Sequence, residues 1–195
     1  MNLTPLMKAA MIAVRDCMGA QPGENALVVT DTGKLAIAES FLYVFHSLGI
    51  DATLMVMTPR DHHAQEPPPE VRAAMLSSDV ALLITTKSLT HTHARVDATN
   101  QGVRIASLPG ITEDIMTVGA MTADYQKVSE LSWKLTKLME STQKVEITTE
   151  LGTHLVMSLI GRKPGLPPDD GIYREKGRWG NLPAGEAYIA PVEES

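Results

Sequence analysis

Glu186 is the side chain of this sequence best placed to do chemistry. Asn181-Leu-Pro-Ala-Gly185 makes a tight turn, and Glu186 opens an alternating stretch directly after it. A carboxylate fixed between a Pro-Gly turn and a strand suits a rigid metal ligand or a general acid or base. It equally suits an ordinary surface carboxylate at a turn. Asp31-Thr-Gly-Lys34 follows a short apolar run and precedes a helical stripe. That is where open α/β sheets hold ligands, although Asp31 or Thr32 as a simple helix cap fits as well. His62-His63 and Thr90-His91-Thr92-His93 supply imidazoles in two clusters. Adjacent histidines point apart in an extended chain, and no H-E-x-x-H spacing is present. Cys17 falls on the apolar face of the first helix, where a thiol is inert. His46 and His154 read as structural, and the 11 methionines as core filling. No G-x-S-x-G, G-x-G-x-x-G or P-loop pattern occurs, so serine hydrolase, dinucleotide and P-loop chemistries lack a motif.

Alternating strands and helices must position these groups. Thr4-Pro5 caps a helix whose Met7, Met11, Val14 and Met18 recur at helical spacing before Gly19. Ala26–Thr30, Asp51–Thr58, Asp79–Thr85 and Val103–Ser107 read as strands. Helical segments lie between them, around Leu35–Phe45, Glu70–Ser77 and Thr92–Gln101. This order predicts an α/β fold with an open, mainly parallel sheet flanked by helices. Thr122–Ser141 reads as one long helix burying Val128, Leu131, Leu135 and Leu138. From Lys144 the pattern turns β-rich, with a hairpin of 145–149 and 154–160 around Glu150–Thr153. Gly161–Gly180 reads as a loop, and Asn181–Ala190 as a further turn and strand. The expected division is an α/β domain over 1–141 and the β-rich start of a second domain over 142–195. A β-rich piece that small rarely buries enough apolar area to stand alone.

Composition narrows the function classes. The chain has 195 residues, 44% of them hydrophobic and 21% charged, a globular balance. Lys plus Arg number 17 against 23 Asp plus Glu, a net charge of −6 with no basic cluster. That argues against a nucleic-acid or anionic-membrane surface, as do aromatics at only 4%. One cysteine excludes a disulfide framework and fits a reducing compartment. No apolar run approaches a membrane span, and Lys8, Arg15 and Asp16 break up any signal peptide. A soluble cytoplasmic protein is the expectation.

Several segments, taken in order, carry a family likeness. Asn181–Glu186 followed by Tyr188 to Glu193 resembles the metal-binding entrance of the aminopeptidase T / aminopeptidase S metallopeptidases and their leucyl-aminopeptidase-like relatives. Ala26–Asp31 is similar to that family's first strand, and Arg60 to Met75, with Glu66-Pro-Pro68, to its Pro-rich loop and helix. Ser88–Arg95, Gly102–Ser107 and Pro109–Thr112 resemble its central signature, and Gly152-Thr153 with Gly161-Arg162 its second-domain hairpin. The resemblance implies a two-metal aminopeptidase, often homodimeric, that removes N-terminal residues from peptides. By it, Glu186 is one ligand of two divalent ions (Zn, Co, Mn or Mg) that activate a shared water. The remaining ligands and the catalytic base come, in that family, from a region beyond the segment where this sequence stops. His62, His63, His91 and His93 do not match its ligand positions. This chain is therefore expected to be a truncated N-terminal portion, inactive alone and binding no metal.

Two alternatives stand beside that reading. A related branch contains iron-dependent dioxygenases acting on dihydroxypyridines, whose iron ligands also lie beyond this sequence; a carboxylate at position 186 favours the peptidase branch over it. The other is a non-enzymatic binding or dimerisation module, or a small-molecule binder using the sheet edge near Asp31 and His91.

Overall fold

The protein is described by a computed structural model that covers residues 3–193. Its strands are β1 (Asn25–Asp31), β2 (Asp51–Met57), β3 (Val80–Ile84), β4 (Arg104–Ser107), β5 (Lys144–Thr148), β6 (His154–Ser158) and β7 (Trp179–Asn181). Its α-helices are α1 (Pro5–Met11), α2 (Leu35–Ser47), α3 (Pro69–Leu76), α4 (His93–Asn100), α5 (Glu113–Thr117) and α6 (Tyr125–Ser141). Five strands form one parallel sheet in the order β2-β1-β3-β4-β7, and β5 pairs with β6 in a separate antiparallel hairpin. An α/β fold with a mainly parallel, helix-flanked sheet is what the alternation of patterns predicts. None of the described helices is long and apolar enough to cross a membrane.

Local chemistry explains most of these elements. Thr4 caps α1 by accepting from the Met7 amide at 3.3 Å, and Pro5 occupies the first turn. The helix runs on through a π-helical turn, Ile12–Cys17, before Gly19 takes a positive φ of 58°. The β3 run Val-Ala-Leu-Leu-Ile is buried throughout, as a central parallel strand covered on both faces must be. On one face of the sheet Leu27, Val29, Leu83 and Ile105 meet Val71 and Met75 of α3 and Ala94 and Ala98 of α4.

The described chain forms two compact units. Unit 1 runs through Tyr125 and takes in Gly171–Ala184; unit 2 is Gln126–Asp170 with the chain from Gly185 onward. A single cut after residue 141 does not reproduce this division, because the chain returns to the first sheet. β7 pairs with β4 through Ile105↔Trp179, Ala106↔Gly180 and Ser107↔Asn181. Gly180 permits that return: a Cβ there would lie 2.4 Å from the hydroxyl oxygen of buried Tyr173. The Tyr173 hydroxyl donates to the Asn181 carbonyl at 2.7 Å.

Two expectations are corrected. Among the described residues no strand follows the turn at 181–185; Glu186 forms only an isolated antiparallel bridge with Asp169. On α6, Leu131, Leu135 and Leu138 are exposed, whereas Ser132 and Thr136 are buried. The helix therefore turns its small hydroxyl face inward.

Candidate functional site

The sheet's carboxyl edge in unit 1 gathers most of the chemistry-bearing residues. The strand order reverses between β1 and β3, where an open α/β sheet has its crevice. Asp31 ends β1 there and is fully buried. Its carboxylate accepts from the Gly33 amide at 2.9 Å, the Thr86 amide at 2.5 Å and the Thr86 hydroxyl at 2.8 Å. The chain's own carboxylate thus takes the donors that a bound anion would use. Gly33 is required for this clamp, since a Cβ would fall 2.8 Å from Thr86 Oγ1. Asp31 joins the ends of β1 and β3 rather than capping α2.

The histidine clusters meet without forming a ligand set. His63 Nδ1 accepts from the Ser88 amide at 3.1 Å, and the Ala64 amide donates to the Ser88 carbonyl at 2.8 Å. These bonds dock the Pro-rich loop onto the segment that leads into α4. Glu66 completes the contact, accepting from the His93 amide at 2.5 Å and the Ala94 amide at 3.2 Å. A carboxylate over the first amides of a helix is favoured by the helix dipole. Thr92 adds the ordinary cap, accepting from the Arg95 amide at 3.2 Å. His62 Nδ1 lies 3.0 Å from the His63 carbonyl and His91 makes an edge contact with Trp179, so the imidazoles face different surroundings. Among the described residues, no group of three or more His, Cys, Asp or Glu stands together as a metal site.

Sequence patterns miss the residue that organises this edge. Arg95 is buried; its Nε donates to the Thr90 carbonyl at 2.6 Å, and its guanidinium carbon lies 3.9 Å from the Trp179 ring centre. Burial lowers its pKa from the ordinary arginine value, yet a guanidinium remains charged. The Thr90 hydroxyl donates to Asn181 Oδ1 at 3.0 Å. Asn181 and Trp179 therefore hold β7 against the start of α4. A lone Arg on a polar helix carried no signal of this, because its aromatic partner lies far along the chain.

In unit 2 the Glu186 side chain is exposed, and its backbone exchanges hydrogen bonds with Asp169 at 2.9 and 3.0 Å. Asp170 next door is buried and accepts from the Ser129 hydroxyl at 2.7 Å and from Trp133 Nε1 at 3.0 Å. That carboxylate pins α6 to the Asp169–Asp170 segment. To ligate a metal, Glu186 needs further donors from outside the described residues, since no described group of three includes it. Cys17 is buried, and His154 lies 2.8 Å from Glu146 across the hairpin.

Comparison with known proteins places this architecture. Residues 7–195 match the 2,5-dihydroxypyridine 5,6-dioxygenase family. The chain belongs to that family. Among solved structures, the 2,5-dihydroxypyridine dioxygenase of Pseudomonas putida KT2440 superposes with a TM-score of 0.72 at 13% identity, over 100% of this chain and 58% of that one. The expected aminopeptidase family is represented by AmpT from Thermus thermophilus, with a TM-score of 0.55 at 15% identity over 98% of this chain and 62% of that one. Both likenesses establish a shared fold, and in each case the chain spans less than two thirds of the longer protein. Comparison with curated proteins finds no match.

These findings correct the expectation of an aminopeptidase, and with it that of a metal centre hydrolysing peptides. The dioxygenase family matches nearly the whole chain, and its solved structure fits better than the aminopeptidase. Glu186 had favoured the peptidase branch. A single exposed carboxylate does not discriminate two families that share the surrounding fold.

Proposed function

We propose that this chain forms the α/β framework of a dioxygenase that opens the ring of a dihydroxylated pyridine. The observation that carries this reading is the family match over residues 7–195. The shared fold of the Pseudomonas putida dioxygenase supports it. The resemblance implies iron, which in such an enzyme supplies a site for activating dioxygen. The described residues do not fit an iron centre, because no three donors stand together. No catalytic step is assigned to them. Their contribution is positional: Asp31 joins the ends of β1 and β3, Glu66 ties the loop after β2 to the start of α4, and Arg95 holds α4 to the Thr90 carbonyl. On this reading the metal donors come from polypeptide outside the described residues.

The test is oxygen uptake on 2,5-dihydroxypyridine by the protein isolated from its source with any copurifying polypeptide, after anaerobic loading with Fe(II). Oxygen consumption matched by loss of the dihydroxypyridine absorbance is the expected result. The chain expressed alone is expected to give none. Absence of uptake by the iron-loaded natural protein with every dihydroxypyridine isomer overturns the proposal.

A further inference from the structure

An open groove of about 600 Å³ lies in unit 1 beside the start of β2, lined by Leu42, Tyr43, His46, Ile50, Asp51 and Ala52. Its walls are largely apolar, and the exposed Asp51 carboxylate sits at the first residue of the strand. A long basic side chain suits that shape, with its stem along Leu42 and Ile50 and its charged head at Asp51.

The groove opens onto an edge strand that can accept a pairing chain. β2 ends the sheet and carries no lysine, arginine, proline or glycine, the residues that commonly blunt an edge. The Met57 carbonyl accepts from the Thr32 amide at 3.3 Å, so Met57 faces β1. Strand alternation then turns the amides and carbonyls of Ala52, Leu54 and Val56 outward. Thr58 would continue that row, but its carbonyl accepts from the Arg60 guanidinium at 3.1 and 3.3 Å. Arg60 is thus turned back on its own chain. Exposed apolar surface from Val56 and Tyr43 flanks the open stretch.

Charge around the edge selects the occupant. Asp61, beyond the end of β2, is exposed. Glu39 is exposed one helical turn before Tyr43, on the same face of α2. Arg72 of α3 reaches Asp97 of α4, which leaves exposed Glu70 on the opposite flank of α3, toward the β2 side of the sheet. Among the described residues, none of Glu39, Asp51, Asp61 and Glu70 is held in an ion pair. Facing these carboxylates are Arg60, already bonded to Thr58, and the imidazoles of His46, His62 and His63. A second copy of the chain would bring the same carboxylates against one another. We infer that β2 is a docking edge for an extended basic segment of another polypeptide. That segment adds a strand to the sheet through Ala52, Leu54 and Val56, and sets a lysine or arginine in the groove at Asp51.

Fluorescence anisotropy on the whole chain tests this with two labelled peptides, Lys-Val-Thr-Val-Thr-Val-Lys and Glu-Val-Thr-Val-Thr-Val-Glu. The basic peptide is expected to bind saturably, at least about tenfold tighter than the acidic one. Asp51→Lys should weaken it by about tenfold or more with the circular dichroism unchanged. Glu140→Lys on α6 makes the same change of charge far along the chain and should leave binding as it is. N-methylating the valine amides of the basic peptide, or in a second peptide its threonine amides, keeps the charge; one of the two should lose binding, because its outward amides no longer pair. Should Asp51→Lys fail to fold, the methylated peptides decide alone. No binding of the basic peptide at millimolar concentration overturns the inference. So does binding kept by both methylated peptides or lost equally in Glu140→Lys, since attraction to the acidic chain would then suffice. A dimer seen in sedimentation and abolished by Val56→Lys also overturns it, because a second copy would then hold the edge.

Discussion

Units 1 and 2 differ in how much apolar surface they leave outside. In unit 1 the apolar strands are covered, and the charged groups that go inside have partners. Asp31 has Thr86, Arg95 has Trp179, and Arg104 has Glu24 at 2.6 Å and the Met18 carbonyl at 2.7 Å. In unit 2, Ser132, Thr136 and Asp170 are buried along with Leu159, while Leu131, Leu135, Leu138, Ile147 and Leu155 face outward. Most of the exposed large apolar side chains among the described residues belong to unit 2. A leucine thus carries different weight in the two units.

The sharpest way to break this contrast is a leucine truncation in unit 1. Leu83 is fully buried in β3, between β1 and β4. Leu83→Ala should cost about 3 to 4 kcal/mol in denaturant unfolding, through lost transfer energy and the cavity left behind. A loss under about 1 kcal/mol would mean that the sheet repacks, and the contrast between the units would fail.

Asp31→Ala comes next. It leaves the Thr86 amide and hydroxyl and the Gly33 amide without their acceptor at the sheet's switch point. A cost of about 3 kcal/mol is expected, because a buried donor left unmet loses its full solvation. Amide exchange should speed up around Thr86 and leave α6 unchanged. Uniform acceleration in both units would show Asp31 to be more than a local clamp.

Asp170→Ala asks the corresponding question of unit 2. It removes the acceptor for Ser129 and Trp133, but Trp133 is 36% exposed and water can replace part of the loss. About 1 to 2 kcal/mol is expected, with a shift in tryptophan emission as the indole N–H changes partner. An unchanged emission spectrum would show that the carboxylate does not hold the indole in solution.

What could be read in the sequence follows the same boundary. The continuous apolar runs of β1 and β3 have only one economical solution, a strand covered on both faces, and Thr4-Pro5 specifies a helix start by its own hydrogen bonding. Glu66 could not be read as the cap of α4, because it reaches amides 27 and 28 positions away. β7 was equally hidden: three residues carry no periodicity, and their place beside β4 depends on Tyr173 and Gly180 in close approach. On α6 the pattern misled. Leucines at spacings of four and three imply a buried stripe, yet the face that goes inside is the one bearing Ser132 and Thr136. Glu186 was legible as a residue with chemical potential, but its identity could not choose between two enzyme families built on one fold.

The smallest expected effect is therefore the most telling. Leu135 lies mid-helix on α6 and is 44% exposed, between Leu131 at 66% and Leu138 at 62%. Leu135→Glu keeps a good helix former and places its charge in solvent, so the unfolding free energy should change by no more than about 0.5 kcal/mol. The same replacement at an interior leucine strands a carboxylate away from water and is severe. Solubility should rise as an apolar stripe is interrupted. A loss above about 2 kcal/mol would mean that the leucine face is covered in the folded protein, and the contrast between the two units would disappear.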